Sequence, residues 1–350
     1  MTSYNIFTNE EDSLPSGKAD FLLAASVTGI CTLEGITQSD AQMISLMPTL
    51  DAEFIANEKV FSSSHPAETP NGVPTPSIIT RAVHNVIPFK SIEILNLGLN
   101  TAPQNSTCHN FDILPSKPLT MGSGIDARAV FAKGLAAGKS YELKGNYLIL
   151  AEGTPGGTIT AAATALALGY NCADDFSSNF LNIPCDIKEE TIQKALSLIH
   201  EDMDTFEILS LVGDNMLIFC AGFLMEASRR FHVVLAGGTQ MAACLLVADR
   251  LREDVLMRVK DANITLATTL WIANDSNSNI KHLLSLLSFT PHAVYTDFSF
   301  ADAQIQVLHQ YDEGAIKDGA GAGGALAYAA AHHISNKKLL ESIEHILYLM

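Results

Sequence analysis

The sequence predicts an α/β protein with a Rossmann-like three-layer fold, in which helices cover a mostly parallel sheet and a small helical part follows at the C-terminus. Two observations predict this class. Short apolar runs of strand length recur along the chain, and the segments between them carry apolar residues at three- and four-residue spacing. The chain of 350 residues, 47% of them hydrophobic and only 17% charged, is long enough to bury a large core.

Six apolar runs are predicted to be strands of one sheet. Parallel strands read as continuous apolar stretches because helices cover them on both faces. The predicted strands are 20–27, 92–99, 146–151, 231–238, 263–270 and 292–298, and the predicted covering helices are 188–199, 213–229 and 239–252. Two further helices are predicted near the C-terminus, at 302–310 and 321–349.

The predicted domain organisation has three parts. A polar N-terminal segment, 1–19, precedes a Rossmann-like domain, 20–300, and a C-terminal helical part, 301–350, carries a glycine-rich acidic loop. Segment 62–76 is rich in Pro, Ser and Thr, so it is neither a helix nor a central strand. It is either an ordered loop over a pocket or a mobile insertion.

The charge pattern favours small-molecule chemistry. A net charge of -17 opposes binding to nucleic acid or to an anionic membrane, because both need clustered Lys and Arg. The N-terminus is polar and acidic, and no apolar run reaches the ~18 residues that span a bilayer, so we expect a cytoplasmic protein. The six cysteines lack the Cys-x-x-Cys or Cys/His spacing of zinc sites, so they are interpreted as reduced thiols in the core, and no metal site is predicted.

The strongest candidate binding element is the segment EGTPGGTIT, residues 152–160. It follows a predicted strand and precedes a helix, an order that places free N–H groups and a helix N-terminus at the carboxyl end of the strand. The predicted phosphate-binding residues are Gly153, Thr154, Gly156, Gly157, Thr158 and Thr160. The alternative reading is a tight strand-to-helix turn with a Thr cap.

A second strand-to-helix junction repeats this geometry at Gly237, Gly238 and Thr239. Two such turns in one sheet indicate that both contribute to one ligand site at this edge of the sheet, although Gly-Gly-Thr alone is equally typical of a structural turn.

Two familiar nucleotide-binding fingerprints are excluded. Glycines in 319–324 fit the dinucleotide spacing without a preceding strand, and the Walker-like stretch 134–140 is one residue short and follows a helical segment.

Two acidic residues are candidate catalytic groups. Glu152 stands at the carboxyl end of a predicted strand, and Asp318 lies in the glycine-rich stretch DEGAIKDGAGAGG. Each also has a structural reading, as a helix-dipole partner and as a helix N-cap respectively. Together they would suit a glycosyl-type transfer, in which one carboxylate takes a proton from the acceptor and another stabilises positive charge on the sugar.

Three segments, which follow one another along the chain in this order, carry a family resemblance: AEGTPGGTITAAATALALGY, LVGDNMLIFCAGFLMEASRRFHVVLAGGTQMAA and DEGAIKDGAGAGGALAYAAA. They resemble the nicotinate-nucleotide:dimethylbenzimidazole phosphoribosyltransferase family, especially its shorter branch described mainly from archaea and cyanobacteria. The likeness extends from about Asp20 to about His333 and includes TPNGVPTPSIITRA. It implies a Rossmann-like enzyme, usually a homodimer without an organic cofactor, that moves phosphoribose from nicotinate mononucleotide to 5,6-dimethylbenzimidazole.

The resemblance also implies roles for individual residues. Asp318 falls where the family has a Glu as its proposed general base, and Glu152 matches a second acidic position. Residues 153–160 would bind phosphate, residues 237–239 would line the nucleotide pocket, and the loop around Glu313, Gly319 and Gly321 would contact substrate.

The exchange of Glu for Asp retracts the carboxylate by one methylene, and a misplacement of ~1 Å can lower a rate ~100-fold. Glu152 or Glu313 is therefore an alternative base. A non-catalytic nucleotide-binding sensor or subunit and a nicotinate-nucleotide hydrolase are alternative functions, and the acceptor base stays open between a benzimidazole and a purine.

Overall fold

The computed structural model describes residues 1–33, 41–69, 71–177 and 185–350 and confirms the predicted α/β class. Within these residues one sheet has the strand order β1-β8-β7-β6-β5-β2-β3-β4. All neighbours are parallel except β1, which runs antiparallel to β8. The strands are β1 (Ser3–Asn5), β2 (Ala19–Ala25), β3 (Ser91–Asn96), β4 (Cys108–Asn110), β5 (Tyr147–Gly153), β6 (Val233–Ala236), β7 (Ile264–Thr269) and β8 (His292–Thr296).

Helices connect the strands and cover the sheet. Those in the described residues are α1 (Ala41–Asn57), α2 (Ser77–Val86), α3 (Ala127–Ser140), α4 (Gly157–Ala167), α5 (Cys185–Leu196), α6 (Thr205–Val212), α7 (Asn215–Ala227), α8 (Thr239–Leu251), α9 (Leu270–Ala273), α10 (Ile280–Ser285), α11 (His309–Asp312), α12 (Ala322–Ala331) and α13 (Asn336–Leu349). Single 3-10 turns occur at Gly29–Thr32, Leu119–Met121, Asp261–Asn263 and Gln306–Leu308. No helix in these ranges combines the length and apolarity needed to cross a membrane.

Alternate side chains of each central strand point into two separate apolar layers. Leu22 and Leu148 belong to the layer that contains α3, α4, α7 and α8, whereas Phe21 and Ile149 belong to the layer with α1, α2, α12 and α13. The sheet is therefore sandwiched between two helical layers. The helix α12, from the C-terminal part, packs directly on β6, β7 and β8.

The Walker-like stretch lies inside α3, which agrees with its exclusion as a phosphate loop. A Cβ on Gly134 would lie 2.1 Å from the carbonyl oxygen of Phe219, and one on Gly138 would lie 2.3 Å from that of Phe223. These glycines let α3 approach α7 closely.

Several elements differ from the sequence prediction. Strands β1 and β4 were not predicted, because each has three residues and no apolar run. The predicted helix 321–349 is wrong: it is broken between α12 and α13, where His333 adopts φ +57° and Ser335 caps the next helix. The predicted helix 302–310 is also wrong, since a 3-10 turn and the short α11 occupy its end.

The described residues of segment 62–76 make specific contacts. Glu68 and Pro74 form an isolated β-bridge, and the Tyr311 hydroxyl donates to the Pro74 carbonyl oxygen at 2.6 Å. The Thr75 hydroxyl donates to the buried Asp51 carboxylate. These contacts favour the ordered loop over the mobile insertion.

The strand order places a topological switch point between β2 and β5. The chain proceeds from β2 to β3 in one direction across the sheet and from β5 to β6 in the other. Loops that leave the carboxyl ends of such strands diverge and open a crevice, where open α/β sheets bind their ligands.

Candidate active site

The turns that follow β2 and β5 meet at the switch point. The Ser26 and Thr154 hydroxyl oxygens lie 2.8 Å apart, and the Thr28 hydroxyl donates to the Pro155 carbonyl oxygen at 3.3 Å. Gly156 adopts φ +71°, and a Cβ there would lie 2.5 Å from a methyl group of Ile30. The turn therefore requires glycine at this position.

The two predicted binding turns lie side by side. Gln240 Nε2 donates to the Thr154 carbonyl oxygen at 3.4 Å, and a Cβ on Gly157 would lie 2.3 Å from Gln240 Oε1. A Cβ on Gly237 would lie 3.1 Å from Glu152 Cγ. The N-termini of α4 and α8 thus converge, and their first-turn N–H groups and dipoles provide positive potential for an anion.

Thr160 has a structural partner in this arrangement. Its hydroxyl donates to Asp214 Oδ2 at 2.7 Å and also lies 2.9 Å from the Gly157 carbonyl oxygen. Asp214 is buried and accepts the Leu217 N–H at 2.8 Å as the N-cap of α7. The Thr160 hydroxyl consequently ties the turn to α7, whereas Thr158 is half-buried at the start of α4.

Glu152 lies at the carboxyl end of β5 and is only 4% exposed. Its Oε2 accepts the Thr154 N–H at 3.2 Å. Burial, and after it the charge of Asp318, raises the pKa of Glu152 to about 8. Glu152 is therefore mostly protonated at neutral pH.

Asp318 is also buried, with 5% exposure, in the loop between α11 and α12. Oδ2 accepts the Thr268 hydroxyl at 2.8 Å, and Oδ1 accepts the N–H groups of Gly319 at 2.8 Å and Gly323 at 3.3 Å. Burial raises the pKa of Asp318 to about 6. The structure brings Asp318 and Glu152 close enough for their charges to interact.

A buried ion pair anchors the residue before Asp318. Lys317 Nζ lies 2.8 Å from Asp275 Oδ2, and the side chains are 11% and 2% exposed. The Ser177 hydroxyl donates to the same oxygen of Asp275 at 2.6 Å. On the other side of Asp318, the Thr80 hydroxyl donates to the Ala320 carbonyl oxygen at 2.8 Å. The loop that carries Asp318 is thus fixed from both sides.

The glycines of the acidic loop have packing roles. Gly321 adopts φ +77°, and a Cβ there would lie 2.6 Å from that of Ala151. A Cβ on Gly323 would lie 2.4 Å from Thr268 Cα. These glycines let α12 approach the sheet. Glu313 is exposed, whereas Asp318 is buried. Substrate contacts by Gly319, Gly321 and Glu313 stay predictions.

Sequence reasoning missed two buried acids and an amide. Asp51 accepts the Thr75 hydroxyl, and burial raises its pKa to about 6. Asp214 caps α7, and Gln240 spans the two turns. Each had a sequence signal: Asp51 is a charge in a stretch of mostly apolar residues, Asp214 lies at the start of a predicted helix, and Gln240 directly follows Gly-Gly-Thr. Among the described residues, no three His, Cys, Asp or Glu side chains are arranged to hold a metal ion.

Comparisons with known proteins identify the family. Residues 123–260 match a family model described as phosphoribosyltransferase. A UPF0284 protein of Methanocaldococcus jannaschii is 32% identical over 87% of this chain and 86% of its own length. A UPF0284 protein of Sulfurisphaera tokodaii is 29% identical over 98% and 97%, and one of Microcystis aeruginosa is 30% identical over 92% and 88%.

Two crystal structures from Thermus thermophilus share the fold. One is described as a nicotinate-nucleotide-dimethylbenzimidazole phosphoribosyltransferase, with a TM-score of 0.59 and 14% identity over 94% of this chain and 83% of that chain. The other, described as CobT, has a TM-score of 0.60 and 15% identity over 94% and 85%. Since a UPF0284 protein is 32% identical to this chain over most of both lengths, the chain belongs to the UPF0284 family.

Proposed function

We propose that the protein transfers 5-phosphoribose from nicotinate mononucleotide to 5,6-dimethylbenzimidazole or a similar aromatic base, giving nicotinate and an α-ribazole 5′-phosphate-type nucleotide. One observation carries the proposal: two buried carboxylates, Glu152 and Asp318, are close enough for their charges to interact, and Glu152 lies beside the turns that lead into α4 and α8. The family match supports the class of reaction. In keeping with the family resemblance, we infer a cytoplasmic homodimer that uses no organic cofactor.

The donor nucleotide fits the charge distribution of the site. Its phosphate group suits the converging N-termini of α4 and α8. Its pyridinium ring is cationic, so the buried and largely ionised Asp318 attracts it. A bound cation also favours the ionised form of Glu152, whose pKa burial raises to about 8. The negative charge on Glu152 would then form where the sugar becomes positive.

Asp318 is the proposed general base. Burial raises its pKa only to about 6, so it is largely ionised at neutral pH and accepts the azole N–H proton of the acceptor. The acceptor nitrogen forms a bond to C1′ as the bond from C1′ to the pyridinium nitrogen breaks. The bonding pair goes to that nitrogen, and nicotinate leaves as a neutral ring. Attack from the opposite face converts the β-nucleotide into an α-nucleotide.

Nicotinate release tests the proposal. Purified protein is incubated with nicotinate mononucleotide alone, with dimethylbenzimidazole and with adenine. Release that depends on an acceptor supports transfer, release without an acceptor indicates a hydrolase, and tight binding without release indicates a sensor.

The Asp318→Asn variant should lose most of its rate while its affinity for the nucleotide stays nearly unchanged. Glu313→Gln tests the alternative base, an exposed acid of the same loop, and should keep a rate close to that of the wild type. Full activity in Asp318→Asn, or collapse in Glu313→Gln, would remove Asp318 from the proposed role.

A further inference from the structure

Two side-chain oxygens at the start of α8 are buried without a hydrogen-bond partner among the described residues: Thr239 Oγ1 and Gln240 Oε1. Thr239 is 1% exposed and Gln240 is 7% exposed. The large majority of buried polar side-chain atoms in proteins have a hydrogen-bond partner, so an unpartnered pair in a candidate active site needs a chemical explanation. A bound ligand supplies one.

The orientation of the Gln240 amide defines what the ligand must offer. Nε2 faces the Thr154 carbonyl oxygen at 3.4 Å, and the reversed amide would bring two oxygens together. Oε1 is therefore the unpartnered atom, and it only accepts hydrogen bonds. A phosphate dianion also only accepts, so it cannot satisfy Oε1. A hydroxyl group can donate to Oε1, and the Thr239 hydroxyl can donate or accept.

The two oxygens belong to residues that lie between the N-terminus of α4 and the carboxylate of Glu152. Gln240 Oε1 is next to Gly157, at the N-terminus of α4, and a Cβ on Gly237 would lie 3.1 Å from Glu152 Cγ. Ribose joins the phosphate to the base, so its hydroxyls fall between a phosphate on the helix N-termini and the carboxylates around the reacting carbon.

We propose that Gln240 and Thr239 bind the ribose hydroxyls of the donor nucleotide and thereby select ribosyl over deoxyribosyl donors. This inference rests on the proposed function, because it takes a nucleotide as the donor. Gln240 and Thr239 are specificity residues in this account and take no part in proton transfer.

The test compares kcat/KM for nicotinate mononucleotide with that for its 2′-deoxy and 3′-deoxy analogues. The wild type should prefer the ribonucleotide by about 10- to 100-fold over at least one analogue, the effect of losing one or two hydrogen bonds to a buried partner. Gln240→Leu should lower kcat/KM for the ribonucleotide by a similar factor. For the analogue that the wild type uses poorly, kcat/KM of this variant should stay within about threefold of the wild-type value. Thr239→Val is a second, smaller change with the same expected pattern. Gln193→Leu, at an exposed Gln of α5, is the matched control.

Two results would overturn the inference. One is a wild-type enzyme that uses ribosyl and deoxyribosyl donors equally. The other is a Gln240→Leu variant that loses activity toward both to the same degree, which would indicate a structural role. If no nucleotide releases nicotinate, the proposed function fails. The ribose inference is then tested with dissociation constants: the wild type should bind the ribonucleotide about 10- to 100-fold more tightly than at least one deoxy analogue, and Gln240→Leu should remove this preference.

Discussion

The Glu152→Gln variant should change how the stability of the protein depends on pH. Burial raises the pKa of Glu152 from 4.5 to about 8. Between these values the folded protein holds a proton that the unfolded chain has released, so the free energy of unfolding falls as the pH rises through this window. At ~1.36 kcal/mol per pKa unit, the loss is about 4–5 kcal/mol above pH 8. Gln keeps an acceptor for the Thr154 N–H and does not titrate.

Urea unfolding at pH 5, 7 and 9 and constant ionic strength measures this effect. Wild type and Glu152→Gln should differ little at pH 5, and the variant should be more stable by several kcal/mol at pH 9. Glu313→Gln removes the same charge from an exposed position and should follow the wild type at all three pH values. Parallel stability curves for Glu152→Gln and wild type would refute the assignment of a buried, protonated Glu152.

Three further predictions concern the loop that carries Asp318, the proposed base. Burial raises the pKa of Asp318 to about 6. The rate of acceptor-dependent nicotinate release, measured from pH 5 to 8, should therefore increase with pH and reach half of its maximum near pH 6. Lys317→Met leaves the buried Asp275 without its cation and should lower the free energy of unfolding by about 3–5 kcal/mol, and a double variant with Asp275→Leu should recover part of this loss in urea titrations. Gly323→Ala places a Cβ 2.4 Å from Thr268 Cα, so it should destabilise the protein by about 1–3 kcal/mol in urea and also lower kcat in the nicotinate-release assay, because Gly323 N–H holds Asp318.

The sheet was predictable from sequence because its central strands are buried on both faces. The runs predicted at 20–27, 146–151 and 263–270 coincide with β2, β5 and β7 to within a few residues. The edge strands β1 and β4 were not predicted, since three-residue strands depend on their neighbours for pairing. Helix α1 was also missed, as Pro48 lies inside it.

The turns of the candidate site were predictable because their residues are adjacent in sequence. The turns at 153–160 and 237–239 could be recognised because glycines and a helix start follow a strand directly. Glu152 and Asp318 could be found one at a time, but their proximity to each other and to Asp51 could not, because the three acids come from distant segments. The pKa values follow from that proximity and from burial, so local sequence carries no sign of them.

The exchange of Glu for Asp that the family resemblance implies at Asp318 is best understood through the backbone that carries this residue. The glycines at 321, 323 and 324 have no Cβ, and each sits where a Cβ would lie within 2.6 Å of the sheet, so α12 and the preceding loop lie very close to the strands. Asp318 is then fixed by hydrogen bonds from Thr268, Gly319 and Gly323. A carboxylate held this way has its position set by the backbone more than by the length of its side chain. If Asp318 is the base, we expect the close approach that the glycines permit to compensate for a side chain that is shorter than Glu by one methylene.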